Sequence, residues 1–162
     1  MSQNSQVYID SFLETKTVRT DLSLKDIITP RNSALLLNLY ASKVQAGFPS
    51  PADDYIERTL DLNDYLITHP ASTFFVRVSG DSMTGAGIHE NDILVVDRSL
   101  EAKHNAIIIA ILNGELTVKR LNINNGVYTL MPENPAYPKT LITEEMDFSV
   151  WGVVTSVIHR FK

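Results

Sequence analysis

The chain contains no cysteine, and that absence removes a block of chemistry. It excludes disulfides, thiolate nucleophiles and cysteine-ligated metals, and it fits a reducing cytoplasm. Long apolar runs are also missing. The longest, Ala34–Leu37 and Ala106–Leu112, fall far short of the roughly 20 residues that cross a bilayer. Residues Met1 to Val7 are polar and lack the basic start and apolar stretch of a secretory leader. No membrane association is expected. There is no phosphate loop and no dinucleotide fingerprint, and no pair of residues has zinc-site spacing. No cofactor and no metal are expected. Gly-x-Ser-x-Gly and Ser-x-x-Lys are both absent, which disfavours a nucleophile elbow built around His69, His89, His104 or His159, and β-lactamase-like chemistry.

Positive charge is scarce where it would matter for nucleic acid. The net charge is −5. Residues 1–46 hold five basic and four acidic side chains, so the deficit lies entirely in residues 47–162. An acidic body repels the phosphates whose attraction to Lys and Arg dominates nonspecific DNA affinity. Little direct DNA binding is expected, and protein partners are more plausible.

What is present is a 44% apolar chain of 162 residues, enough for one core and an appended arm. Residues 1–33 are polar and weakly periodic. Ala34 to Gln45 reads as a short helix that could dock through Leu35, Leu36, Leu39 and Tyr40. Gly47, Pro49 and Pro51 then force an extended segment and mark the clearest boundary. Asp53–Glu57 and Asp61–Thr68 read as short helices, the second with Leu62, Tyr65 and Leu66 on one face. Beyond Pro70 the pattern turns to strands: Thr73–Ser79, Asp92–Asp97, Ala106–Leu112, Glu115–Leu121, Val127–Met131 and Val150–His159. Asn113-Gly114 and Asn124-Asn125-Gly126 are hairpin signals. The fold class expected is mainly β: a compact, curved antiparallel domain over 47–162, with short helices and an N-terminal arm over 1–46.

Two residues could carry chemistry together. Ser82 lies in Ser79-Gly80-Asp81-Ser82-Met83, where glycine permits a sharp turn that lifts the hydroxyl out of the sheet. The same turn would aim the backbone N–H groups of Asp81 and Ser82 at a developing oxyanion. A serine hydroxyl needs a base. Lys119, in Leu116-Thr117-Val118-Lys119-Arg120-Leu121, could be that base if burial beside apolar neighbours lowers its pKa from about 10.4. Strand alternation puts Thr117 on its side. Alone, the first segment is an ordinary solvated turn and the second an edge lysine; Ala46-Gly47 alone is merely a small pair. Glu144-Glu145-Met146-Asp147 is a solvated acidic turn.

The ordered set Ala46-Gly47, Ser79-Gly80-Asp81-Ser82-Met83, Asp92-Ile93-Leu94-Val95-Val96-Asp97 and Thr117-Val118-Lys119-Arg120-Leu121 resembles the LexA/UmuD family of self-cleaving Ser–Lys proteases. Gly47-Phe48-Pro49-Ser50-Pro51-Ala52, Asp61-Leu62-Asn63 leading to His69-Pro70, and Met131-Pro132-x-Asn134 resemble its UmuD branch. The resemblance spans about residues 34–162. It implies a curved β domain of the kind shared with signal peptidases, with Ser82 as nucleophile, Lys119 as general base and Ala46–Gly47 as the bond cut. It further implies stimulation by a RecA filament on single-stranded DNA. The processed homodimer would then join a UmuC-type Y-family polymerase subunit in error-prone translesion synthesis during the SOS response. A LexA-type repressor is the alternative, though forty-six residues leave little room for a winged DNA-binding module before the small pair. A signal peptidase should carry a membrane anchor. The chain departs from its relatives in having Asn91 and Asn105-Ala106 where glycine turns are common, turns that asparagine also tolerates. Ala46 stands where the best-known members of the UmuD branch have cysteine, and the first twenty or so residues have no counterpart.

Overall fold

A computed structural model describes residues 27–28, 35–40 and 56–161. Its strands are β1 (Ile27–Ile28), β2 (Leu36–Tyr40), β3 (Ile56–Asp61), β4 (Thr73–Arg77), β5 (Ile93–Asp97), β6 (Ile107–Leu112), β7 (Glu115–Asn124), β8 (Val127–Met131), β9 (Thr140–Leu141) and β10 (Phe148–Ile158). Among the described residues one short helix, α1, covers Leu62–Leu66. Eight strands form a sheet in the order β1-β4-β5-β10-β6-β7-β8-β9, and β2 and β3 form a separate ribbon. Every pairing is antiparallel. The mainly β class expected from the sequence is the class observed.

The sheet carries apolar packing on both faces. Ile109 joins Val78, Met83, Ile88, Leu94 and Val96 in one cluster. Its neighbours Ile108 and Ala110 join Leu121 and Leu130 in another. Successive strand residues point to opposite faces, so a strand buried on both must be apolar throughout, as β6 is in Ile107-Ile108-Ile109-Ala110-Ile111-Leu112. β10 lies between β5 and β6, and its register shifts between Val150 and Gly152 and again between Val154 and Ser156. Such bulges bend a strand.

The turns follow their residues. Asn113 and Gly114 have φ of 52° and 85°, and Asn125 and Gly126 have 48° and 79°. Paired positive values suit tight hairpins between twisted strands. Asn91 and Asn105 both sit at φ 70°, so asparagine holds the left-handed backbone at both turns.

Two helices expected from the sequence are corrected. Within Ala34–Gln45 the described residues form β2, not a helix. Within Asp53–Glu57, Ile56 and Glu57 belong to β3, and 53–55 lie outside the described residues. The physical reason is local. Leu35, Leu36 and Leu37 remain 52–65% exposed, so no buried face rewards a helix. Meanwhile, the buried Asp61 carboxylate accepts the Leu35 N–H at 3.1 Å and holds Leu36 opposite Asp61. The other oxygen accepts Asn63 N–H at 2.8 Å and caps α1. That helix is shorter than expected, and Leu62 and Tyr65 stay exposed. The pairing of β1 with β4 and of β2 with β3 joins segments upstream of Ala46 to the body of the domain.

Buried carboxylates end β5. Asp97 accepts from His69 Nδ1 at 2.6 Å, Ser72 Oγ at 3.1 Å, Ser99 N at 2.8 Å and Ser99 Oγ at 2.7 Å. Burial by itself would raise its pKa; the hydroxyl of Ser99, the His69 imidazole, the Ser99 N–H and the Ser72 hydroxyl outweigh it and hold the carboxyl below its ordinary value. A carboxyl lowered by folding stabilises the native state fully above its unfolded pKa of about 4, and that contribution disappears as pH falls through the folded value. Urea unfolding across the acid range is therefore expected to show a flatter pH dependence for Asp97→Asn than for the parent. Equal slopes would show that these donors do not hold Asp97 low.

Candidate active site

The Ser82 turn grows out of β4. Val78 extends the pairing with β5, its N–H donating to Asp92 O at 2.9 Å and its carbonyl accepting from Asn91 N at 3.0 Å. The chain then turns at Gly80, with φ +88°, a conformation costing an L side chain about 1 kcal/mol. Next to Ser82, Met83 is 1% exposed and belongs to the cluster containing Ile109. A buried methionine thus anchors one side of a half-buried serine. A short 3-10 turn, Thr84–Ala86, follows.

Lys119 projects from β7. Its cross-strand partner is Ile108, and that of Thr117 is Ala110, so the amine rises from an apolar neighbourhood with one hydroxyl beside it. The Nζ lies 2.9 Å from Ser82 Oγ, 2.9 Å from Thr117 Oγ1 and 2.9 Å from Val118 O. Burial lowers the Lys119 pKa, because desolvation penalises the ammonium. Two residues 37 apart in sequence therefore meet as a hydroxyl–amine pair.

A segment beyond β8 fixes the turn. Glu133 N–H donates to Ser82 O at 2.8 Å, and Glu133 O accepts Gly85 N–H at 2.6 Å. This close approach excludes a side chain at Gly85, since an added Cβ would lie 2.4 Å from Glu133 O. Arg120, next to Lys119, binds the Glu133 carboxylate and donates through its terminal nitrogen to Asn105 O at 2.8 Å. Asn134 Nδ2 donates to Asp81 O at 3.0 Å, and Tyr137 donates its hydroxyl to the Asp81 carboxylate. That contact, with the Asp81 charge and a little burial, raises the Tyr137 pKa and keeps the phenol a donor. Neither the Asp81 nor the Ser82 N–H bonds to another described residue.

The sequence reading found Ser82, Asp81, Lys119 and Thr117 but assigned no role to Glu133, Asn134 or Tyr137. The available signal was Met131-Pro132-x-Asn134, whose asparagine binds the turn that carries Ser82. Ala46 and Gly47 lie outside the described residues. In sequence they fall between β2 and β3, the two strands of the ribbon. His104 Nδ1 accepts Ile123 N–H, while His69, His89 and His159 contact Asp97 or Asp92. None of the four is placed against Ser82. Among the described residues no helix is long and apolar enough to cross a membrane.

The profile of the Peptidase S24-like family matches residues 38–155. Protein SamA of Salmonella typhimurium is 50% identical over 122 residues, covering 75% of this chain and 84% of that protein. Protein ImpA of Escherichia coli is 49% identical over 123 residues, covering 75% and 83%. The LexA repressor of Bordetella parapertussis is 36% identical over 129 residues, covering 80% of this chain and 59% of the repressor.

The Gly85–Glu133 contact generates a direct test. Gly85→Ala must push the two backbones apart and is expected to cost about 1–3 kcal/mol of stability, read as a lower denaturation midpoint. An unchanged midpoint would mean that the turn is not packed against Glu133.

Proposed function

The chain belongs to the Peptidase S24-like family, the LexA/UmuD group of self-cleaving serine peptidases, and from this premise we propose that it cuts its own backbone between Ala46 and Gly47, with Ser82 as nucleophile and Lys119 as general base. The observation that carries the assignment is the 2.9 Å contact between Lys119 Nζ and Ser82 Oγ. Neutral Lys119 takes the Ser82 proton as Oγ attacks the Ala46 carbonyl carbon. The Asp81 and Ser82 N–H groups receive the oxyanion. Protonated Lys119 then gives its proton to the Gly47 nitrogen, the C–N bond breaks, and Ala46 is left as an ester on Ser82. Lys119 next deprotonates a water that attacks the ester, and it returns the proton to Ser82 Oγ. Thr117 orients the amine. Small side chains at Ala46 and Gly47 let their backbone approach Ser82.

We further infer that this cleavage serves SOS mutagenesis. The chain is more similar to SamA and ImpA, at 50% and 49% identity, than to the LexA repressor at 36%, which favours the UmuD branch over a repressor. On this reading a RecA filament on single-stranded DNA accelerates the cut. Residues 47–162 form a homodimer in the cytoplasm that works with a UmuC-type Y-family polymerase subunit in translesion synthesis.

Only the neutral amine accepts a proton, so cleavage is expected to accelerate as pH rises through the lowered Lys119 pKa and then level off. Mass spectrometry after alkaline incubation should find fragments 1–46 and 47–162. Ser82→Ala and Lys119→Ala should remain intact while folded. An intact parent, or a Ser82→Ala protein cut at the same bond, would overturn the mechanism. Thr117→Val removes one Nζ acceptor and is expected to slow cleavage about tenfold, equivalent to about 1.4 kcal/mol in the barrier. An undiminished rate in single-turnover assays would remove Thr117 from the mechanism.

A further inference from the structure

The two ends of β5 carry buried aspartates, and they are not equivalent. Asp97 is saturated by donors, with two serine hydroxyls, a backbone N–H and one imidazole around it. Asp92 is equally buried, its side chain 3% exposed, but two imidazoles stand over it. His159 Nδ1 lies 2.5 Å from Asp92 Oδ1, and His89 Nδ1 lies 3.7 Å from Asp92 Oδ2. The one other bond described for the carboxylate comes from His89 N–H, at 2.7 Å to Oδ2. A carboxylate has about four lone-pair sites, so Asp92 keeps acceptor capacity that Asp97 has spent.

We propose that His89, Asp92 and His159 form a binding site for a late first-row divalent cation of the zinc class. One candidate ligand atom from each residue lies within 4.8 Å of the other two. Two imidazole nitrogens and one carboxylate oxygen suit such an ion. Tetrahedral coordination at about 2.0–2.1 Å would bring the ligand atoms to about 3.3 Å apart. The two rings can make that adjustment. Their side chains are 52% and 40% exposed, the rings lie 5.3 Å apart between centroids at a tilt of 57°, and the His159 ring meets the 92% exposed Phe161 edge-on. The carboxylate supplies the fixed point because both its backbone neighbours and its burial hold it: Val78 N–H binds Asp92 O at 2.9 Å, and Asp92 N–H binds His89 O at 3.2 Å. Three protein ligands leave an outward position for water. The ion would replace the proton between His159 and Asp92, and it would tie the end of β10 to the turn that follows Ile88. This site shares no residue with the Ser82–Lys119 pair.

The test is calorimetric titration of the untagged full chain with zinc, repeated with cobalt(II) to read its visible ligand-field bands. The expected result is one ion per chain, with cobalt bands indicating nitrogen and oxygen ligation. His89→Gln and His159→Gln should each weaken binding by about tenfold or more. His69→Gln, which alters the comparable imidazole on Asp97, should bind like the parent. No saturable binding below about 1 mM, affinity unchanged in both site variants, or equal loss in His69→Gln would each overturn the site.

Discussion

A lysine amine held partly out of water beside a serine hydroxyl sets the demand that the surrounding structure meets. An ammonium in that place is penalised, and among the described residues the amine reaches Ser82, Thr117 and the Val118 carbonyl. Keeping that geometry requires a rigid β7 on one side and a rigid turn on the other. The first comes from apolar packing on both faces of β6, which pairs with β7 along its length. The second comes from Met83 in the core below and from the Glu133 backbone alongside. A shift of about 1 Å in either would lengthen the Nζ–Oγ contact beyond hydrogen-bonding range.

Much of this was legible in the sequence because the signals were local. Asn113-Gly114 and Asn125-Gly126 specify hairpins through their own backbone preferences, and the strands they join follow. Thr117 and Lys119 share a face by alternation alone, and Gly80 announces the turn before Ser82. The illegible parts depend on distant partners. Leu36-Leu37-Asn38-Leu39-Tyr40 has helix-compatible composition; it becomes a strand because β3 offers hydrogen bonds and Asp61 captures Leu35. The latch on Asp81 from Asn134 and Tyr137 spans more than fifty residues, and the Met131-Pro132-x-Asn134 signal does not say which distant turn it binds.

The histidines show the same division. As isolated residues they carry no spacing that points to a function. In the fold, His69 closes over Asp97 while His89 and His159 converge on Asp92. One strand, β5, is thus held at both ends by buried carboxylates, and it lies between β4, which leads into Ser82, and the central β10. The fasteners sit at the two ends of β5 and leave its apolar run Ile93-Leu94-Val95-Val96 uninterrupted.

The ribbon formed by β2 and β3 brings together strands from the two sides of Ala46–Gly47. Breaking a peptide bond in the connection between two paired strands leaves their ladder intact. Departure of the upstream piece is then a dissociation step, opposed by the β2–β3 ladder, the Leu35–Asp61 bond and the β1–β4 pairing. On the proposed cut, chemical scission and physical release would be separate events with separate rates. On the cut proposed at Ala46–Gly47, a covalent clock that runs once would be followed by a non-covalent latch that anything competing for the β3 and β4 edges held by β2 and β1 could open.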